Sequence, residues 1–444
     1  MDAAAPDPVR ADLVGPAELA PVAARPDDSG HARLAFIDFL RAVAILLVFI
    51  RHSTEVFVPY GHGGRFIYNL GGTFAFGMLG VIVFFGISGF LIPSSLHGPK
   101  LAGSVRYLLS RFFRLYPAFA VSVMPSVVSH FWLGGRTLSW HQIALNFTMV
   151  PRLFGATLAN GAYWTLEVEL AFYLICLILF VGGLLREGFC LAAITLVTSM
   201  VFQASQQTFF NGLFNPILSG EAFFFNLNVA VLFWGAMLRL WWDGTRLNTA
   251  TALVCWGFAT FWIVWHPACL LVAFVSHHMA GIDTNVISAY GLGMAIFLAA
   301  VLHGGLRNPV MLWIGRISYS FYLLHGVVIH ASNYELNLHP AWRALDAGLI
   351  CVVVLLLSLA AAQLSYSLVE RPGIRLGRHV IRRAVGWLDR TSLGDSVPAR
   401  FLLRLVRPLC LRRNAPLLAH PTGTHMPRGR RVVSEPLIEM PPGA

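Results

Sequence analysis

Apolar stretches of membrane length recur along nearly the whole chain. Runs at about 34–58, 72–92, 113–133, 163–185, 189–205, 221–242, 250–275, 286–303, 312–332 and 344–369 each approach the roughly 20 residues that carry an α-helix across a ~30 Å hydrocarbon layer. Ten such segments predict an all-α polytopic membrane protein with a transmembrane domain over residues 34–372. In the seventh, His266-Pro267 predicts either one kinked helix or two short ones, because proline removes a backbone donor and crowds the preceding turn. Residues 1–33, rich in Ala, Pro and Asp, are expected to form a disordered segment, and they lack the pattern of a cleaved secretory signal. Residues 373–444 form a basic tail, expected to start as an amphipathic surface segment and then to lose order. No internal repeat suggests a two-halved transporter.

The first apolar run breaks its own pattern. Arg41 and His52 lie within it, where a cation at the hydrocarbon centre costs about 2.5–3.5 kcal/mol. Eleven residues of helix separate them, a rise of about 16 Å, so they share one face at two depths. Asp38, Arg41, Ile45, Val48, His52 and Glu55 continue that stripe. A plain anchor has no use for it.

Composition narrows the class. Of 444 residues, 57% are hydrophobic and 12% charged, with mean hydropathy +0.67 and net charge +11. The surplus does not point to nucleic acid, because the basic residues gather at alternate membrane edges and after Glu370. Positive-inside topology and contact with anionic membrane lipids account for them. Lys100, Arg106, Arg111, Arg114, Arg186, Arg239, Arg246, Arg307 and Arg316 mark the expected cytoplasmic loops. The opposite connections carry Arg65, Arg136, Arg152 and Arg343, and none in 206–220 or 276–285. Both termini then face the cytoplasm. The six cysteines, at 176, 190, 255, 269, 351 and 410, lack metal or redox spacing and read as small core residues.

Four clusters can carry chemistry. His52 is the first candidate base, with Asp38 and Arg41 one turn apart and able to neutralise each other; the alternative is a buried network that fixes helix packing. Arg51 and Glu55 read as edge residues. Arg111 and Arg114, in Ser110 to Pro117 at the mouth of the third span, share a helix face and can clamp phosphate oxygens, or simply anchor the cytoplasmic edge. Glu167 and Glu169 enter the fourth span beside Trp164, Tyr163 and Tyr173, where they can bind a sugar, orient the histidine, hold a proton or sit in interfacial water. Ser318, Tyr322 and His325 share a face in the ninth span, as a cavity wall or as interhelical glue. The Gly-rich stretch Phe84 to Phe90 is expected to let helices approach closely. No nucleotide loop, nucleophile elbow or metal signature appears, and the adjacent His277-His278 pair points two ways on a helix.

In order, these pieces resemble the acyltransferase-3 family of multispanning membrane acyltransferases, from about Ile37 to Arg378. The resemblance rests on Asp38-x-x-Arg41 with ten residues to His52, Phe84 to Ile92, Arg111-x-x-Arg114-x-Tyr116-Pro117, Trp164-Thr165-Leu166-x-Val168-Glu169 with Phe172-Tyr173, Ser318-Tyr319 to His325, and Leu368 to Pro372. It implies ten helices with cytoplasmic termini, in the plasma (inner) membrane. It also implies transfer of an acyl group, commonly acetyl, from cytoplasmic acyl-CoA to a hydroxyl of a cell-surface sugar, glycolipid or polysaccharide, with no permanently bound cofactor. Within it, His52 and Glu169 are the expected catalytic residues. Arg41, Arg111 and Arg114 are the donor-binding ones, and Asp38, Trp164, Tyr322 and His325 line the cavity or acceptor site. Two features depart from the pattern: Glu167 stands where a small polar residue is usual, and Phe39 and Ala42 replace small glycines beside Arg41. The esterase-like domain fused to some relatives is not in the sequence, so delivery is expected alone or with a separate partner. The rival expectations are a transporter or flippase that uses the same buried charges, and an inactive scaffold.

Overall fold

The protein is described here by a computed structural model covering residues 26–60, 63–205, 222–265, 267–268, 284–339, 341–342 and 345–390. Outside these fall most of the N-terminal segment, the tail beyond residue 390, His266 of the expected kink, His277 and His278, Cys269, Cys410, Arg343 and the 206–220 connection.

Among the described residues there are helices and no strand. They run α1 Pro26–Phe57, α2 Arg65–Thr73, α3 Phe76–Leu91, α4 Lys100–Val127, α5 Trp140–Asn146, α6 Trp164–Gly182, α7 Gly188–Ser205, α8 Ala222–Trp242, α9 Thr249–Thr260, α10 Thr284–His303, α11 Pro309–Leu338, α12 Ala347–Ser365 and α13 Arg371–Arg390. Six segments are long and apolar enough to cross a membrane: Phe76–Ser95, Lys100–Trp132, Gly161–Gly182, Phe224–Trp242, Pro309–Leu338 and Ala347–Leu388. Three shorter apolar helices, Gly188–Gln203, Thr249–Trp265 and Ser288–His303, accompany them.

Local chemistry sets several of the boundaries. Asn308 accepts from the backbone N–H groups of Val310 and Met311 to start α11 ahead of Pro309, and Asp346 caps α12 in the same way. The helix of the third span begins at Lys100, well before the expected residue 113, so Arg111 and Arg114 stand inside α4 and not at its mouth. Its first turns are too polar for a hydropathy window to include, yet Lys100 is fixed by donating to the Val181 carbonyl at 2.5 Å. Pro117 within α4 cannot bond the Phe113 carbonyl. Gly373 and Gly377 of α13 pack against Phe113 and Pro117 there. The basic segment after Glu370 is therefore helical through Arg390, with Arg375, Arg378, Arg382 and Arg383 on its exposed side.

Helices α1, α3 and α11 form the middle of the bundle. α1 packs on α3 and α11, and α3 also packs on α8 and α10. Glycines let backbones meet, as expected for the Phe84 to Phe90 stretch. A Cβ at Gly89 would run into the Leu232 carbonyl of α8, and one at Gly235 would sit 2.7 Å from the Gly86 carbonyl oxygen. Gly315 likewise faces the backbone of Asp38. Gly89→Ala is expected to force α3 and α8 apart at a cost of about 1–3 kcal/mol, read as a lower unfolding midpoint in detergent. Gly257→Ala, with nothing within 4 Å of the new Cβ, is the control and is expected to hold or raise it.

Candidate functional site

Two cavities open between the central helices, and the polar stripes of the sequence supply both. The first has a volume of about 110 Å³ and is lined by Arg41 from α1, Ser88 from α3, Arg111 and Arg114 from α4, Glu169 and Tyr173 from α6, and Ser318, Tyr319 and Tyr322 from α11. Arg41 is held by Asp38, 3.2 Å away on the same helix. Arg111 donates to Ser95 Oγ at 3.0 Å and lies over the Tyr107 and Tyr173 rings, 5.6 and 5.5 Å from their centroids. Its Nε is buried without a hydrogen-bond partner among the described residues, and Arg114 makes no hydrogen bond or ion pair among them. Glu169 accepts from Tyr173 Oη at 2.5 Å and Ser88 Oγ at 3.0 Å. Three guanidiniums thus face one carboxylate across a small space, with donors unspent. That arrangement suits a charged or strongly polarised oxygen ligand.

The second cavity is larger, about 520 Å³, and carries imidazoles where the first carries guanidiniums: His52, His130, His325 and His330. The rings of His52 and His325 lie 5.5 Å apart, and those of His130 and His330 lie 4.1 Å apart. The Nδ1 of His325 is 2.8 Å from the Tyr322 carbonyl, which can only accept, so Nδ1 carries the proton and Nε2 is an acceptor. Trp164 and Asn160 line the same space, as do Arg51 and Glu55. His52 Nδ1 is 3.5 Å from Glu55 Oε2.

Val81 and Tyr322 line both cavities. Tyr322 Oη lies 2.8 Å from the Ala162 carbonyl oxygen and 2.8 Å from Thr165 Oγ1, and its ring meets Phe84 edge-on. This seam is the wall between them. Helices α1, α3, α6 and α11 each pass both spaces.

The residues singled out from the sequence therefore divide into two groups. Arg41, Arg111 and Arg114 converge, whereas His52, Trp164 and His325 meet in the other cavity and Tyr322 belongs to both. Glu169, paired in expectation with His52, lines the arginine cavity instead: α6 carries Trp164 to one side of the seam, and Glu169, more than a turn further on, to the other. Asp38 lines neither cavity. It acts on Arg41 across one turn, its own backbone pressed against Gly315. Glu167 is engaged by Arg152, with Nε to Oε2 at 2.5 Å, so the two neighbouring carboxylates have separate partners.

Comparison with known proteins places the chain in a family. The profile of the acyltransferase domain family, acyltransferase-3, matches residues 34–363. The chain belongs to this family. The acyltransferase is 26% identical over 388 residues to nodulation protein 10 of Rhizobium leguminosarum bv. viciae, spanning 80% of this chain and 96% of that protein. It is 25% identical over 383 residues to the acyltransferase MdmB of Streptomyces mycarofaciens, spanning 78% and 92%. No solved structure matches it. It is a membrane enzyme that transfers acyl groups, which displaces the transporter and scaffold expectations.

Sequence reasoning missed several residues of the acyltransferase's second cavity. His130 sits in a π-helical turn, Val128–Trp132, after α4; such turns recur at functional sites. His330 follows His325 by five residues, a spacing that three-four periodicity passes over. Arg51 and Glu55, read as edge residues, face the cavity. Among the described residues, no three His, Cys, Asp or Glu side chains are placed to hold a metal ion.

Proposed function

We propose that the acyltransferase moves an acyl group, acetyl in the first instance, from cytoplasmic acyl-CoA to a hydroxyl of a cell-surface sugar, glycolipid or polysaccharide. The observation that carries this reading is the sharing of one wall, Val81 and Tyr322, by an arginine cavity and a histidine cavity. The arginine cavity suits the donor. Arg111 and Arg114 hold its anionic groups, Arg41 faces the reacting end, and Glu169 offsets the repulsion among the guanidiniums. The histidine cavity suits the acceptor, whose ring can stack on Trp164. His52 takes the hydroxyl proton as the oxygen attacks the thioester carbonyl. The new C–O bond forms, the C–S bond breaks, and the proton passes to the thiolate sulfur. Tyr322 must swing aside for the thioester to meet the hydroxyl.

In this reading the six long apolar helices, the three shorter ones and polar-striped α1 are taken as ten spans. Together with the arginine-rich loops they support a multi-pass plasma (inner) membrane protein with cytoplasmic termini, the arginine cavity facing the donor pool. The exposed arginines of α13 suit anionic headgroups on that same face. In this reading a catalytic domain covers 34–372, with a cytoplasmic N-terminal segment whose residues from Pro26 on already belong to α1, and a basic tail that begins as α13.

The test is direct. Purified protein in detergent is given acetyl-CoA labelled in the acetyl group and a cell-envelope glycan extract. Label is expected in the glycan, released by mild alkali as an ester. Label found only in free acetate, or only in protein, would count against this acceptor class.

A further inference from the structure

We infer that Glu55 is a positioning residue for His52: its carboxylate takes the imidazole Nδ1–H and presents Nε2 to the cavity as the proton acceptor. The inference rests on the reading of His52 as the base. An imidazole has two nitrogens, and a base must keep the working one unprotonated; which one that is depends on what the other nitrogen bonds. His52 Nδ1 lies 3.5 Å from Glu55 Oε2, close enough to tighten when substrate fills the cavity. The two residues are three apart on α1, so they stand one above the other on a rigid element with no loop between them.

The other carboxylate oxygen is taken as well. Arg51 pairs with Glu55 Oε1, and its guanidinium lies 5.9 Å over the Tyr68 ring. Gly77 leaves room for that arginine, since an added Cβ would come within 3.4 Å of its side chain. Glu55 is thus held from one side and offers Oε2 to the histidine on the other. Glu169, one of the two carboxylates that could orient the histidine by sequence, is in the other cavity.

The rival account is that Glu55 is only the ion-pair partner of Arg51. Steady-state kinetics on purified Glu55→Gln, Arg51→Gln and His52→Ala separate the two. Glu55→Gln is isosteric and its site is half-exposed, so the fold is expected to survive. Its kcat is expected to fall about 10–100-fold, the scale for losing the carboxylate behind a metal-bound histidine, with KM for acyl-CoA changed by less than about twofold. Arg51→Gln is expected to cost less, because the carboxylate remains. A kcat for Glu55→Gln within about twofold of the parent, with His52→Ala inactive, overturns the inference and leaves the base assignment standing. Equal losses in Glu55→Gln and Arg51→Gln also overturn it, in favour of the ion pair. Parental activity in His52→Ala removes the base assignment itself, and the inference with it. Should Glu55→Gln not purify, Glu55→Asp serves: it keeps the charge one methylene short of Nδ1, and a parental kcat there overturns the inference.

Discussion

Substituting His52 by alanine is expected to lower kcat for acyl transfer by about 10²–10⁴-fold, the usual contribution of a positioned base, while acyl-CoA still binds. The expectation follows from where the side chain stands. His52 is in the larger cavity and touches no arginine of the smaller one, so its loss removes proton transfer and leaves the donor-holding groups in place. His325 is the nearest substitute, its ring 5.5 Å away. It is fully buried and tied to the Tyr322 carbonyl, so it cannot follow the substrate hydroxyl. The measurement pairs single-turnover transfer of labelled acyl groups with equilibrium dialysis of labelled CoA. A variant that transfers at the parental rate would remove His52 from the chemistry. One that neither transfers nor binds CoA would place His52 with the donor.

Much of this architecture is legible in the sequence, because burying charge in a membrane is costly and therefore informative. Arg41, Arg111, Arg114 and Glu169 come from three separate helices, and all of them line one space. The stripe on α1 is real, but it serves two cavities: Arg41 lines one, and Val48, His52 and Glu55 line the other. What the sequence hides is the wall. Periodicity places Trp164 and Glu169 on one helix without saying that Tyr322, Thr165 and Val81 come between their cavities. It also assigns Glu55 to the aqueous edge on polarity alone, although a water-accessible cavity inside the bundle accommodates a carboxylate just as well. Hydropathy sets the start of α4 too late for a related reason. A hydropathy window registers only lipid-like turns, and the first turns of that helix are held by Lys100 and by packing against α6.

The arginines are expected to fail in the opposite way to the histidine. Arg114→Met keeps most of the side-chain volume and removes the charge. Losing one charge-assisted hydrogen bond costs about 1.5–3 kcal/mol, and each ~1.4 kcal/mol is tenfold in affinity, so KM for acyl-CoA should rise about 10–100-fold. Arg114 has no hydrogen bond or ion pair to lose among the described residues, but its charge acts on buried Glu370, so the unfolding midpoint in detergent is measured beside KM to separate donor from fold. Arg111 differs, being stacked on Tyr107 and Tyr173 and bonded to Ser95. Its replacement removes packing as well as charge, so Arg111→Met should also lower the unfolding midpoint in detergent. In the double variant the donor should no longer saturate, and raising the salt should then change KM less than it does in the parent, because the charges that salt screens are gone. Saturation by acyl-CoA at the parental concentration in Arg114→Met and in the double variant would separate the guanidiniums from the donor. The 110 Å³ cavity would then have to hold some other oxygen-rich group.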